Sequence, residues 1–358
     1  MIKEIYKYGE LFSGPGGLAL GAVKTKIKKG NKTVSIEHKW ANDYDEDSCS
    51  TYRRNIAQDH PESVIAADIR KLNIEENTSP IDIFAYGFPC NDFSIVGKQK
   101  GFHGEFGPLY SYGVKVLDLY KPIAFVAENV SGIRSANNGN AFTKILQDLQ
   151  DAENGYEITV NLYKAEEYGV PQTRHRMIIV GIDKETGKKF KVPKPTTINN
   201  PVTAKQALEN PPINKNAPNH TFTRQTKKVT RRLENIKPGQ NAWNADLPDE
   251  LKLNVKGAKM SQIYRRLHPD KPSYTITGSG GGGTHGYHYS EPRALTNRER
   301  ARIQTFPDNF IFEGSKESVR KQIGMAVPVK LSEVIFEALL KTLSDIDYES
   351  IEPNYTFE

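Results

Sequence analysis

Ile81-Asp82-Ile83-Phe84-Ala85-Tyr86-Gly87-Phe88-Pro89-Cys90-Asn91-Asp92-Phe93-Ser94 is the stretch that decides the fold. Its first six residues form an apolar, β-branched and aromatic run that reads as a buried strand, and Gly87 with Pro89 ends that strand abruptly. Cys90 therefore stands just past a strand end. In a doubly wound α/β sheet that is where ligands bind, so a thiol there is placed for chemistry, although a free cysteine is more often a small buried hydrophobe.

The flanking chain repeats the strand-then-polar-turn pattern. Glu10 to Ala22 reads as a strand end, a glycine-rich turn (Phe12-Ser13-Gly14-Pro15-Gly16-Gly17) and the start of an apolar helix, which points free N–H groups at a ligand. The glycines depart from G-x-G-x-x-G, with Ala at position 19, and this disfavours a nicotinamide cofactor. A strand-like run at Thr33-Val34-Ser35-Ile36 leads to Asn42-Asp43-Tyr44-Asp45. An acid there can accept hydrogen bonds from a ribose diol, and the aromatic beside it can cover an adenine ring. Asp68 follows within Ala67-Asp68-Ile69-Arg70, and Pro122 to Val130 is a further apolar strand that ends in Glu128. After a helix-like stretch from Ala141 to Leu149, Gln172-Thr173-Arg174-His175-Arg176 precedes the strand Met177 to Gly181, and alternation puts Arg174 and Arg176 on one face.

Composition narrows the function. The chain has 358 residues, 37% of them apolar, and a mean hydropathy of -0.60, so a large core domain with a smaller partner is expected. No run approaches the ~18 apolar residues of a membrane span, and Met1 to Lys7 lacks a signal-peptide core. The expected setting is the cytoplasm, with no membrane partner. Two cysteines cannot make a disulfide framework, and Cys49, in a polar run, reads as structural. The net charge of +6 is unevenly divided: 21 Lys+Arg against 23 Asp+Glu in residues 1–182, 22 against 10 in 183–300, and 6 against 10 in 301–358. The middle segment, at +12, points to a polyanion, with nucleic acid the leading partner. Its Pro-rich opening places a domain boundary near 183–195. Its Ser273 to Tyr289 stretch reads as a β run passing into a flexible glycine loop able to lie along a sugar-phosphate backbone. His285 and His288 lack the neighbours of a metal site, and no metal is expected.

Taken together and in order, these motifs closely resemble the DNA (cytosine-5) methyltransferase family of the bacterial modification type. The resemblance covers residues 9–182 and 293–340 and rests on Phe12 to Gly17, Gly87 to Cys90, Glu128-Asn129-Val130, Gln172 to Arg176, Arg293-Ala294-Leu295-Thr296-Asn297-Arg298-Glu299-Arg300-Ala301-Arg302 and Gly324-Met325-Ala326-Val327-Pro328. It implies an α/β, Rossmann-like domain that binds S-adenosyl-L-methionine, with a smaller, irregular, mostly β target-recognition domain. The corresponding bounds are 1–182 for catalysis, 183–292 for recognition, 293–317 as a hinge segment and 318–358 returning to the catalytic domain. By motif match Cys90 is the nucleophile on cytosine C6, Glu128 holds and protonates N3, and Arg174 and Arg176 orient the base. Phe12, Ser13, Gly14, Gly16, Gly17, Asp43, Tyr44, Asp68, Ile69, Pro89, Leu109 and Ala326 line the cofactor site by the same matching. Addition of a thiolate turns an unreactive ring carbon into an enamine, nearby charged groups stabilise the charge that develops, and the base must first be flipped out of the duplex. Met325 stands where the family commonly has Asn. The resemblance also implies double-stranded DNA as substrate, a cognate restriction endonuclease acting on the same sequence, and a monomer. A tRNA cytosine-5 methyltransferase and a non-catalytic DNA-binding protein are the alternatives. Arg231 and Arg232 read as phosphate contacts, and Lys259 to Arg266 as the region that holds base-reading residues.

Overall fold

The computed structural model describes residues 2–89, 109–153, 155–254, 260–281 and 283–356, and Cys90 lies outside them. In chain order its elements are β1 (Ile2–Leu11), α1 (Gly17–Lys24), β2 (Lys26–Lys29), β3 (Lys32–Asp43), α2 (Glu46–Asn55), β4 (Val64–Ala66), α3 (Ile74–Asn77), β5 (Ile83–Tyr86), α4 (Tyr110–Tyr120), β6 (Ala124–Val130), α5 (Asn140–Asp151), β7 (Tyr156–Lys164), β8 (Gln172–Thr173) and β9 (His175–Asp183). Then follow β10 (Val192–Pro193), α6 (Ala204–Glu209), α7 (Lys227–Glu234), β11 (Ser273–Tyr274), α8 (Asn297–Ile303), α9 (Lys316–Met325), α10 (Val329–Leu343) and β12 (Ser350–Ile351).

The chain divides into two compact units, the first made of residues 1–164, 175–196 and 329–358, the second of 165–174 and 197–328. In the first unit the strands run β2-β3-β1-β5-β6-β9-β7 in one mixed sheet, with β4 also on β3. β1, β3, β4, β5 and β6 are mutually parallel, whereas β2, β9 and β7 pair antiparallel. This is an α/β architecture. β5 lies between two parallel neighbours with helices about it, which explains why Ile83 to Tyr86 is apolar without alternation and wholly buried. At Gly9 the β1 register shifts, and a Cβ there would lie 2.6 Å from the Trp40 ring, so glycine lets two neighbouring strands pass a large indole.

The returning C-terminal chain completes this unit. α10 packs on α1 so closely that a Cβ on Gly21 would sit 2.4 Å from the Ser332 side chain, and Ser332 Oγ donates to Leu18 O at 2.7 Å. Further on, Asn354 bonds both backbone groups of Leu162 on the edge strand β7, and Tyr355 bridges Val160. An open strand edge is thereby covered. No helix among the described residues is long and apolar enough to cross a membrane.

The second unit differs from the mostly β domain expected. Its described strands are the two-residue pair β8 and β11, and the rest is short helices and irregular chain. Arginines take the place of ladders. Arg266 donates to the carbonyls of His288, Leu233, Ile236 and Tyr289, and Arg298 to those of Pro218, Pro307 and Phe310. A polar, Pro- and Gly-rich sequence that lacks alternating apolar runs still satisfies its buried backbone groups in this way. The unit bounds also differ from the boundary expected near 183. Gln172–Thr173 pairs with Ser273–Tyr274, and Gly324 lies against Thr277 and Gly278, so 165–174 and 318–328 join the second unit.

Candidate active site

The glycine turn after β1 is held by β3. Phe12, Gly14 and Gly16 all take positive φ (56, 52 and 91°), which curls the turn tightly before α1. The Asp43 carboxylate accepts from Gly14 N at 2.8 Å and from Asp45 N at 2.9 Å, while Ser13 N donates to Asn42 O at 3.1 Å. Burial raises the Asp43 carboxyl above its ordinary range, against the pull of these N–H donors. A Cβ on Gly16 would meet Ile56 at 2.3 Å and Tyr52 at 2.9 Å, so this residue seats the turn on α2. Gly17 opens α1.

Tyr44 is 65% exposed beside this turn. Asp68 caps the turn Ile69 to Lys71 and takes a forked ion pair from Arg70, whose guanidinium holds its carboxyl at about 2. Asn42 Nδ2 ties β3 to β4 through Ile65 O and Ala67 O, both at 2.9 Å. Ile69 and Leu109 are core residues. The ends of β1, β3 and β4 thus collect Phe12, Ser13, Gly14, Gly16, Gly17, Asp43, Tyr44, Asp68 and Ile69, while Ala326 belongs to the second unit. An exposed aromatic, two carboxylates and a curled glycine turn fit a nucleoside bearing a charged tail. Cys49 stays out of this site: it is buried, its Sγ lies 3.6 Å from Asp43 O, and burial pushes its thiol up to about 12.

The second cluster lies where β5 and β6 end. Glu128 Oε1 pairs with Arg176 Nε at 2.8 Å across the antiparallel β6–β9 ladder. Gly87 leaves room for it, since a Cβ there would come to 3.1 Å from Glu128 Oε2. The neighbouring Asn129, buried, donates to Phe88 O at 3.0 Å and holds the chain two residues ahead of Cys90. Arg174 does not share this pair. It is 2% exposed and donates to Ile276 O, Gly324 O and Met325 O, because it falls in the break between β8 and β9 where strand alternation does not apply. Met325 itself is 64% exposed. The motifs Glu128-Asn129-Val130 and Gln172 to Arg176 give no role to Asn129 or Gln172, yet Gln172 is fully buried and bonds Gln304 Oε1 and Ile276 N.

A family model described as C-5 cytosine-specific DNA methylase matches residues 6–341. The chain belongs to this family. It is 57% identical to the type II methyltransferase M.BbvI of Brevibacillus brevis over 99% of this chain and 96% of that one. It is 42% identical to M.NgoFVII of Neisseria gonorrhoeae over 96% and 88% respectively. Among solved structures, a DNA modification methyltransferase encoded within an Escherichia coli prophage superposes with a TM-score of 0.72 at 25% identity, covering 94% of this chain and 99% of that one. Spodoptera frugiperda DNMT2, at 16% identity, TM-score 0.62 and the same coverage, shares the fold.

Within this DNA methylase chain the basic segment is used in two ways. Arg231 is exposed and pairs with Glu250 at 3.2 Å. Arg232, in contrast to the phosphate contact expected, is buried, donates to Leu251 O at 2.7 Å and covers the Tyr264 ring at 4.7 Å. Arg266 likewise holds backbone carbonyls and has no donor left for a base, and Lys259 lies outside the described residues. The glycine loop is not a free tether at its start. A Cβ on Gly278 would lie 3.0 Å from the Lys321 backbone, and one on Gly280 would lie 2.2 Å from Arg320 Nε, so glycine serves close packing on α9. Among the described residues no group of three or more His, Cys, Asp or Glu could hold a metal.

Proposed function

We propose that this DNA (cytosine-5) methyltransferase moves the methyl group of S-adenosyl-L-methionine to a flipped-out cytosine in a specific duplex sequence, through a covalent bond from Cys90 Sγ to C6 (EC 2.1.1.37). The observation that carries this reading is the Glu128–Arg176 pair at 2.8 Å, set against Gly87, three residues before Cys90. The thiolate adds to C6, and the ring electrons move to C5 as Glu128 places a proton on N3. When bound, the cofactor supplies an electrophilic methyl on its sulfonium. Once C5 carried the methyl group that the cofactor would supply, C5 would lose its own proton to a base, the C6–Sγ bond would break, and N3 would return its proton to Glu128, which restores the ring. Arg176 keeps Glu128 oriented and offsets charge on the base. Arg174 acts on the same chemistry from a distance, by fixing the chain at Ile276, Gly324 and Met325.

The cofactor is held by the Phe12 to Gly17 turn, with Asp43, Tyr44 and Asp68 toward the nucleoside, and Ile69, Pro89 and Leu109 completing the lining. The second unit recognises the target sequence, and a restriction endonuclease of the same specificity is the cellular counterpart. A duplex carrying 5-fluorocytosine at the target tests the mechanism, because fluorine cannot leave as a cation after methyl transfer. A denaturation-stable adduct that needs S-adenosyl-L-methionine is expected; its absence overturns the covalent route. The tRNA alternative is weaker, since the relatives matched over nearly the whole chain are named type II methyltransferases.

A further inference from the structure

Arg300, on α8, is 3% exposed, and its guanidinium donates through Nη2 to His285 O while Nε is buried without a partner. Among the described residues no carboxylate pairs with it. Its chain neighbour Glu299 is taken, because its two oxygens accept from Arg293 Nη1 and Nη2 at 2.8 and 2.7 Å and from Thr296 N at 2.8 Å. Arg320, on α9, has a side chain only 12% exposed. Its Nη2 donates to Gly280 O at 3.4 Å, and among the described residues its Nε is also buried without a partner and its one acid is Glu317 at 3.4 Å, which projects into solvent. Lys316 sits one turn earlier on α9, with Nζ 2.8 Å from Phe222 O.

These groups feel one another. Burial, then Arg320, pushes Arg300 down to about 10, and burial with Arg320 and Arg300 holds Lys316 below its usual range. His285 is held at about 4 by burial, Arg300, Arg320 and Lys316, so it is a neutral donor or acceptor here. Two buried guanidiniums and a lysine, with one solvent-facing carboxylate among them, are costly unless an anion joins them. Guanidinium forks with free Nε–H groups match the oxygens of a phosphate. The absence of a Cβ at Gly280 lets the backbone lie against the Arg320 guanidinium at the same place.

We infer that Arg300, Arg320, Lys316 and the turn at Gly280 form a phosphate-binding pocket of the second unit, which grips one backbone phosphate of the duplex. The inference rests on the DNA substrate assigned above. It separates this cluster from Arg266 and Arg298, whose donors are committed to carbonyls.

The test measures duplex affinity of the full chain against salt, for the wild type, Arg320→Gln and Lys316→Gln, with Arg300→Gln included only if it folds. Each lost phosphate contact lowers the log-log slope by about 0.9, so the affinity ratio between about 50 and 200 mM salt should shrink about 3.5-fold in each variant, on target and non-target duplex alike. A wild type with a steep slope and variants with the same slope would overturn the pocket while leaving DNA binding intact. A wild type that binds no duplex would instead remove the reading beneath it. Inorganic phosphate is the second arm. If it raises the melting temperature of the wild type and not of Arg320→Gln while the duplex slopes stay equal, the pocket takes a free anion and the assignment to DNA is wrong.

Discussion

At the scale of single residues, the environment of Cys49 rules it out as the reactive thiol. The thiol of Cys49 is pushed up to about 12 by burial and faces a backbone carbonyl, so it is a poor nucleophile at neutral pH. Alkylation of the native protein should therefore label Cys90 and spare Cys49, and Cys90→Ser should abolish methyl transfer while duplex binding survives. Peptide mapping checks the first, and a methylation assay beside a binding assay checks the second. Arg231 and Arg232 separate by environment. Arg232→Ala strips Leu251 O of its donor and uncovers Tyr264, and should cost about 2–3 kcal/mol in urea unfolding. Arg231→Ala, at an exposed ion pair, should change stability by less than about 1 kcal/mol. Equal losses would mean that Arg232 is not the structural residue its contacts indicate.

At the scale of elements, β3, α2 and the segment before β4 are joined by one imidazole. Ser63 Oγ donates to His60 O at 2.6 Å, so His38 Nε2–H donates to Ser63 Oγ and Nδ1 accepts from Tyr52. Burial holds His38 at about 4, below its ordinary value of ~6.5. The folded value lies below the unfolded one. The stability it contributes is therefore present above about pH 6.5 and is lost as pH falls toward 4, on the order of 3 kcal/mol in total. Urea midpoints at neutral and acid pH should fall further for the wild type than for His38→Gln, and parallel losses would refute the link. The strands were legible because apolar runs ending in Gly, Asp or Glu have few readings. The long reach of β3 to Asp43 and the antiparallel β9 and β7 were not, since direction and register depend on neighbours distant in sequence.

At the scale of the whole molecule, two glycines report on different units. Gly21→Ala would drive a Cβ into Ser332, at 2.4 Å, and Gly324→Ala would drive one into the Gly278 backbone, at 2.0 Å. Each should cost about 1–3 kcal/mol by overpacking. Hydrogen exchange should rise in 1–164, 175–196 and 329–358 for the first and in 165–174 and 197–328 for the second. Exchange that spreads evenly over both in either variant would show that the chain does not divide at these bounds.

The order of motifs from Phe12 to Pro328 determined the family, and with it the α/β sheet, and it is the ground for proposing Cys90 as nucleophile and Glu128 as partner acid, because each is a local pattern of residue type at a strand end. The excess of twelve positive charges in 183–300 was equally plain, but its use was not. Arg232, Arg266 and Arg298 carry the same charge as Arg231, yet three of these four are buried on carbonyls, and only the fold says which. Likewise Arg174 and Arg176 stand two residues apart in one motif, and it took a strand break between them to send one to Glu128 and the other to Ile276, Gly324 and Met325. A side chain's charge is a property of the sequence. What it pairs with depends on burial and on neighbours that only the folded chain brings within hydrogen-bond reach.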